Sequence, residues 1–135
     1  MKKILIAISV VSLLAFASCD SNVTKMDNGL IIEDIKVGTG EVAKSGDTIK
    51  ADYKGYLEDG TVFDSSYDRG EAAIFPIGID FLIQGWEEGI PGMQEGGIRK
   101  LTIPGDLGYG EAGNPQAGIP GNAILIFEIE LLEIL

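Results

Sequence analysis

The chain has a single tryptophan, Trp86, within Ile83-Gln84-Gly85-Trp86-Glu87-Glu88-Gly89, so a glycine stands on either side of one helical turn. Tryptophan presents about 150–250 Å² of largely apolar surface that a fold has to cover. Gly85 and Gly89 leave room for little more than a turn or two of helix, and a helix that short is not stable alone. Other elements must close around it. Strand-like segments on either side supply Tyr53, Phe63, Phe75, Tyr109 and Phe127. The pattern predicts an aromatic-lined cup with Trp86 at its floor, and function is expected there.

Those segments read as strands from their period. Residues 48–57 alternate, with Ile49, Ala51 and Tyr53 on one face and Lys50, Asp52 and Lys54 on the other. Leu125, Phe127, Ile129 and Leu131 share a face in the final segment, Ala123 to Leu135, opposite Ile126, Glu128 and Glu130. Asp59-Gly60 is a hairpin turn into Val62-Phe63. Leu30–Val37, Ala72–Ile77 and Ile98–Ile103 complete the expected strands. With 19 glycines and one short helix, the chain reads as antiparallel β with a helix on one face.

The N-terminus reads differently. Lys2 and Lys3 precede an apolar run from Ile4 to Phe16, and Ala17-Ser18 then leads to Cys19. This is the layout of a secretory signal peptide over residues 1–18. The run falls short of the roughly 18–20 residues that cross a bilayer. Cys19 is the only cysteine, so no intramolecular disulfide exists. Its place after small residues resembles a bacterial lipobox, with Phe16 where leucine is usual; the resemblance implies that Cys19 is acylated and becomes the mature N-terminus. Ordinary cleavage that leaves Cys19 a chance thiol is the alternative. Residues 19–28 are expected to be the lipidated cysteine and a short polar linker.

Composition removes several classes of function. A formal net charge of −11 opposes binding to nucleic acid or anionic lipid. Without histidine, most zinc sites, imidazole acid–base chemistry and Ser–His–Asp catalysis are lost. Gly38-Thr39-Gly40-Glu41-Val42-Ala43 and Gly108-Tyr109-Gly110-Glu111-Ala112-Gly113 fit a dinucleotide pattern. Neither opens a helix, so both read as turns. No cofactor and no metal is expected.

Four blocks in order resemble one family: Asp52-Tyr53-Lys54-Gly55, Val62-Phe63-Asp64-Ser65-Ser66, Ile83 to Gly89, and Leu107-Gly108-Tyr109-Gly110. With the ending Leu125-Ile126-Phe127-Glu128-Ile129-Glu130-Leu131-Leu132, the chain is similar to FKBP-type peptidyl-prolyl cis–trans isomerases over residues 29–135, in a bacterial lipoprotein form. The implied fold is α+β, a half-open antiparallel β-sheet of five to six strands wrapped around one short α-helix. The resemblance implies catalytic roles for Tyr53, Phe63, Asp64, Tyr109 and Phe127, and substrate contacts for Phe75, Leu82, Ile83, Trp86 and Ile119. It further implies that the Ile83 N–H and the Tyr109 hydroxyl hold ligand carbonyls, and that Xaa-Pro polypeptides and FKBP-type macrolide inhibitors enter the cup. A monomer tethered to a bacterial membrane in the cell envelope is expected.

The reaction suits a site with no nucleophile. Amide resonance sets a rotation barrier of about 18–20 kcal/mol, and prolyl bonds turn over tens to hundreds of seconds. Resonance is lost in the twisted transition state, so a dry aromatic cup favours it over the more dipolar planar amide. Each 1.4 kcal/mol of that preference is worth about tenfold in rate.

Other readings stand beside this one. Trp86, Phe63 and Phe127 can be plain core, and Asp64 can pair with Arg69 merely to order a loop. Glu87 and Glu88 read as a solvated helix face. The chain departs from many relatives at Ala73, where an aromatic rim residue is usual, at Asn114, and in an extra residue within Gln116–Gly118. A module that binds proline segments or holds unfolded chains, with incidental turnover, is the alternative function.

Overall fold

The computed structural model describes residues 22–135; the expected signal peptide and Cys19 lie outside them. Seven antiparallel strands form one sheet: β1 (Val23–Lys25), β2 (Ile31–Lys36), β3 (Thr48–Leu57), β4 (Val62–Ser65), β5 (Ala73–Pro76), β6 (Ile98–Ile103) and β7 (Leu125–Ile134). Their order is β1-β2-β6-β7-β3-β4, with β5 also paired to β3. Helix α1 (Ser66–Arg69) is a single turn, and α2 (Gln84–Gly89) carries Trp86. The expected sheet and short helix are present, with more strands than five to six, one additional α-helical turn and two 3₁₀ turns at Gly105–Leu107 and Pro115–Ala117.

The added strand is β1, in a stretch expected to be linker. Val23 and Thr24 are β-branched residues suited to an extended edge, and they pair in register with Glu33 and Ile32 of β2. The bend at Met26–Leu30 closes through the Met26 N–H on the Leu30 carbonyl at 2.8 Å.

The two longest strands make the core face. Ile49, Ala51 and Tyr53 on β3 and Leu125, Phe127, Ile129 and Leu131 on β7 are all buried, as their alternation predicts. β3 and β7 pair from Ile49–Ile134 to Leu57–Leu125, with a register shift between Lys50 and Ala51 that bends the pair.

Helix α2 lies on this face against β6, and its two glycines set the approach. A Cβ at Gly85 would stand 2.6 Å from the Ile103 side chain, and one at Gly89 would stand 2.7 Å from Leu101. Larger residues would push the helix off the sheet. The glycines that weaken the helix in isolation are what let it dock. Its C-terminal end is capped by Arg99, which donates to the Gly89 carbonyl at 2.9 Å and to Asp34 at 2.8 Å; a cation there also complements the helix dipole.

Candidate active site

The other edge of β3 is split. β5 pairs along Thr48–Ala51 and β4 along Lys54–Tyr56, which leaves Asp52 and Tyr53 between them. The buried Ser66 fills that gap from α1. Its Oγ accepts the Tyr53 N–H at 2.8 Å and donates to Asp52 at 2.8 Å, so no buried backbone donor is orphaned there. Tyr53 thereby keeps its inward direction at a place where the sheet opens.

The opening leads into a cavity of about 380 Å³ lined by Tyr53, Phe63, Asp64, Phe75, Leu82, Ile83, Trp86, Tyr109, Ile119 and Phe127, with Ala73, Phe81, Asn114 and Ala117. All ten residues expected at the site thus come to one place, from four strands, one helix and two loops. Trp86 stands among three rings: Tyr53 at 5.1 Å and Phe127 at 5.0 Å, both edge-on, and Phe75 at 5.3 Å, tilted. Phe63 meets Phe127 edge-on at 5.4 Å. Such pairs favour edge-to-face and tilted geometry because ring edges are positive and faces negative. Core burial and cavity lining coexist in these rings: Trp86 is only 6% exposed and Phe127 4%, yet both line the cavity. Among the described residues, the buried Trp86 Nε1 has no hydrogen-bond partner.

Polar groups gather at one side of the cavity. The Tyr53 hydroxyl donates to the Asp64 carboxylate at 2.7 Å. Arg69 donates to the other Asp64 oxygen at 2.5 Å and to the Tyr53 oxygen at 3.0 Å. Its guanidinium also stands 5.5 Å from the Tyr53 ring centre. The Asp64 and Arg69 side chains are 41% and 49% exposed, so water screens the pair and it adds little stability, about 0–1 kcal/mol. Its consequence is orientation. Burial, and then the bond to Asp64, raises the Tyr53 hydroxyl above its ordinary value of 10.0, which keeps it a donor. The bonds to Tyr53 and Asp64 in turn raise Arg69.

Three site features were not anticipated from the sequence: the Ser66 bridge, Phe81 and Glu87. Phe81 lines the cavity from an irregular loop and is 66% exposed; with no strand or helix period around it, nothing in the pattern marked it. Glu87 is not a solvated residue. Its carboxylate accepts the backbone N–H groups of Gly78 at 2.5 Å, Phe81 at 2.6 Å and Leu82 at 2.9 Å, tying the β5–α2 loop to the helix. Glu88 is engaged as well, accepting from Asn28 and Gln84, each at 2.6 Å. The signal for Glu87 lay in its place one residue after Trp86, with an irregular loop of free N–H groups just before the helix.

A half-open antiparallel sheet closed by one short helix, with an aromatic cup above that helix, defines an FKBP-like domain. Residues 39–132 match the family described as FKBP-type peptidyl-prolyl cis-trans isomerase, and the chain belongs to that enzyme family. It is 52% identical over 106 residues to the FK506-binding protein of Neisseria meningitidis serogroup B, covering 78% of this chain and 96% of that protein. The crystal structure of AtFKBP13 matches with a TM-score of 0.78 and 41% identity, over 84% of this chain and 98% of that one. That of FkpA from Escherichia coli matches with a TM-score of 0.76 and 44% identity, over 84% of this chain and 51% of that longer chain.

Proposed function

We propose that the aromatic cup is where this chain accelerates rotation of Xaa-Pro bonds, and that it does so as a lipid-anchored monomer of the bacterial cell envelope. One observation carries the site: the ten residues that the family resemblance implies line a single cavity of about 380 Å³, a volume within the usual range for a small-ligand site. The proline ring sits against Trp86, between Tyr53, Phe75 and Phe127. Those rings exclude water from the amide and so favour the twisted, less dipolar state. The Ile83 N–H and the Tyr109 hydroxyl hold the flanking carbonyls, while Asp64, fixed by Tyr53 and Arg69, borders the bond. No proton has to be transferred, which agrees with a site whose polar groups are directed at one another. The similarity to the Neisseria FK506-binding protein supports entry of FK506-type macrolides into the same cup.

An assay of cis–trans exchange on a short Xaa-Pro peptide tests the site. Replacing both Phe63 and Asp64 by Ala is expected to lower kcat/KM by about a hundredfold, equivalent to two steps of 1.4 kcal/mol; rates equal to wild type would end the catalytic assignment. For the anchor, fatty-acid labelling in bacterial cells is expected for wild type and absent in Cys19→Ser. Equal labelling of the two would remove Cys19 as the acylated residue.

A second reading, chain binding with incidental turnover, is favoured by Ala73 at the cavity wall, where a small side chain leaves the cup open. It predicts that aggregation of unfolded protein is still suppressed by the Phe63→Ala, Asp64→Ala variant.

A further inference from the structure

The loop between β5 and α2 carries two large apolar side chains that the fold leaves uncovered: Ile79 is 57% exposed and Phe81 66%. Exposure of single apolar residues is ordinary; the way this loop is held is not. Three of its N–H groups, at Gly78, Phe81 and Leu82, are bonded inward to the Glu87 carboxylate. Asp80, between the two apolar residues, adopts a φ of 62°, a left-handed conformation uncommon away from glycine. The backbone is therefore tied down while the apolar side chains face out. A surface ordered in advance loses less entropy when something binds it.

The loop is also continuous with the substrate cup. Phe81 and Leu82 line the cavity at this edge, and Ile79, two residues before Phe81 on the same loop, is outside the lining. A polypeptide with its proline in the cup extends past that edge, so the occupant of this surface is the substrate chain itself. We propose that Ile79 and Phe81 form an apolar docking lip for the segment flanking the proline, so that unfolded chains with an apolar stretch beside proline bind better than short peptides. This rests on the isomerase reading of the cup. Charge narrows the partner further. The net charge is −11 and Asp80 is exposed between the two side chains, so apolar stretches accompanied by lysine or arginine are preferred over acidic ones. Glu87 is a positioning residue for the lip.

The test uses the full chain, with Ile79→Ser outside the cavity lining and Phe81→Ser within it. Two quantities are measured: kcat/KM on a Leu-Pro tetrapeptide, and the inhibition constant of reduced, carboxamidomethylated lysozyme, a basic and permanently unfolded chain, in the same assay. Losing one buried aliphatic contact is worth about tenfold in affinity. Ile79→Ser is expected to raise the inhibition constant about fivefold to tenfold while peptide kcat/KM changes by less than about twofold. Phe81→Ser is expected to raise it at least as far and to lower peptide turnover as well. A rise of less than about threefold for Ile79→Ser overturns the lip. So does a dimer in analytical ultracentrifugation that Ile79→Ser dissociates, since a second copy would then cover the surface. Failure of the isomerase reading looks different, because wild type would then not accelerate the tetrapeptide at all. In that case, direct binding of labelled unfolded lysozyme to wild type and to Ile79→Ser still reads the lip.

Discussion

Trp86 and Phe127 at the floor of the cup are 6% and 4% exposed, whereas Phe81 and Tyr109 at its rim are 66% and 39% exposed. The floor is fixed by packing: rings about 5 Å apart lie above β3 and β7, and α2 is pressed onto β6 through Gly85 and Gly89. The rim is fixed by hydrogen bonds, with one carboxylate, Glu87, holding three N–H groups of a loop. A floor that is also the hydrophobic core cannot change without cost to folding. A rim held by polar contacts can vary its outward side chains freely. The floor therefore tolerates less change than the loop between β5 and α2.

The largest effect should come from the floor. Trp86→Ala removes the ring that Tyr53, Phe75 and Phe127 surround, and is expected to lower unfolding free energy by about 3–5 kcal/mol, read by urea denaturation. Trp86→Phe keeps a ring and separates the two functions of the position. It should cost about 1–2 kcal/mol of stability and still reduce kcat on a Leu-Pro peptide. A Trp86→Ala variant as stable as wild type would break the identity of floor and core.

A rim variant should behave differently. Glu87→Gln keeps the size of the side chain but replaces charge-assisted acceptance of three N–H groups by a neutral amide oxygen. The expected loss is about 1–2 kcal/mol of stability, smaller than at Trp86. Its signature is kinetic: KM rises and kcat holds, because the loop that carries Phe81 and Leu82 loosens while the ring cluster does not. Equal falls in kcat and kcat/KM would place Glu87 with the floor instead.

This division also explains what could be read from the sequence. The inward faces of β3 and β7 were legible because burial on one face forces a period of two, and Tyr53 and Phe127 followed from it. Gly85 and Gly89 marked the Trp86 helix as something to be packed around, and the contacts of their absent side chains with Ile103 and Leu101 supply the reason. The resemblance to a family brought in Leu82, Ile83 and Ile119, which period alone does not mark, while Tyr109, expected in a strand-like segment, lies in a turn between β6 and β7 where glycines on both sides break any strand. Phe81 was missed because loops have no period. Ser66 and Glu87 were missed because each acts on backbone groups, at a gap in strand pairing and at a loop, that a string of side chains does not display. The strand at Val23–Lys25 was hidden by its polar surroundings and its place at an exposed edge.

The smallest effect separates the cup wall from the outer face of the same strand, through two tyrosines of β3. Tyr53 points inward and donates to Asp64, while Tyr56 donates to Glu128 at 2.6 Å on the far side. Burial, followed by the carboxylate partner, raises both hydroxyls from 10.0, that of Tyr56 to about 12. A folded-state value above the unfolded one means that the native protein holds the proton more tightly. The stabilisation is therefore complete below about pH 10 and is lost as pH climbs through the folded value, for Tyr56 between about 10 and about 12. Unfolding free energy measured across that window should fall for wild type and fall less steeply for Tyr53→Phe and for Tyr56→Phe. Only Tyr53→Phe should also lower kcat/KM near neutral pH, because it alone frees Asp64 and Arg69 from their shared partner. If Tyr56→Phe lowers kcat/KM equally, the outer face of β3 takes part in the site and the wall extends through the sheet.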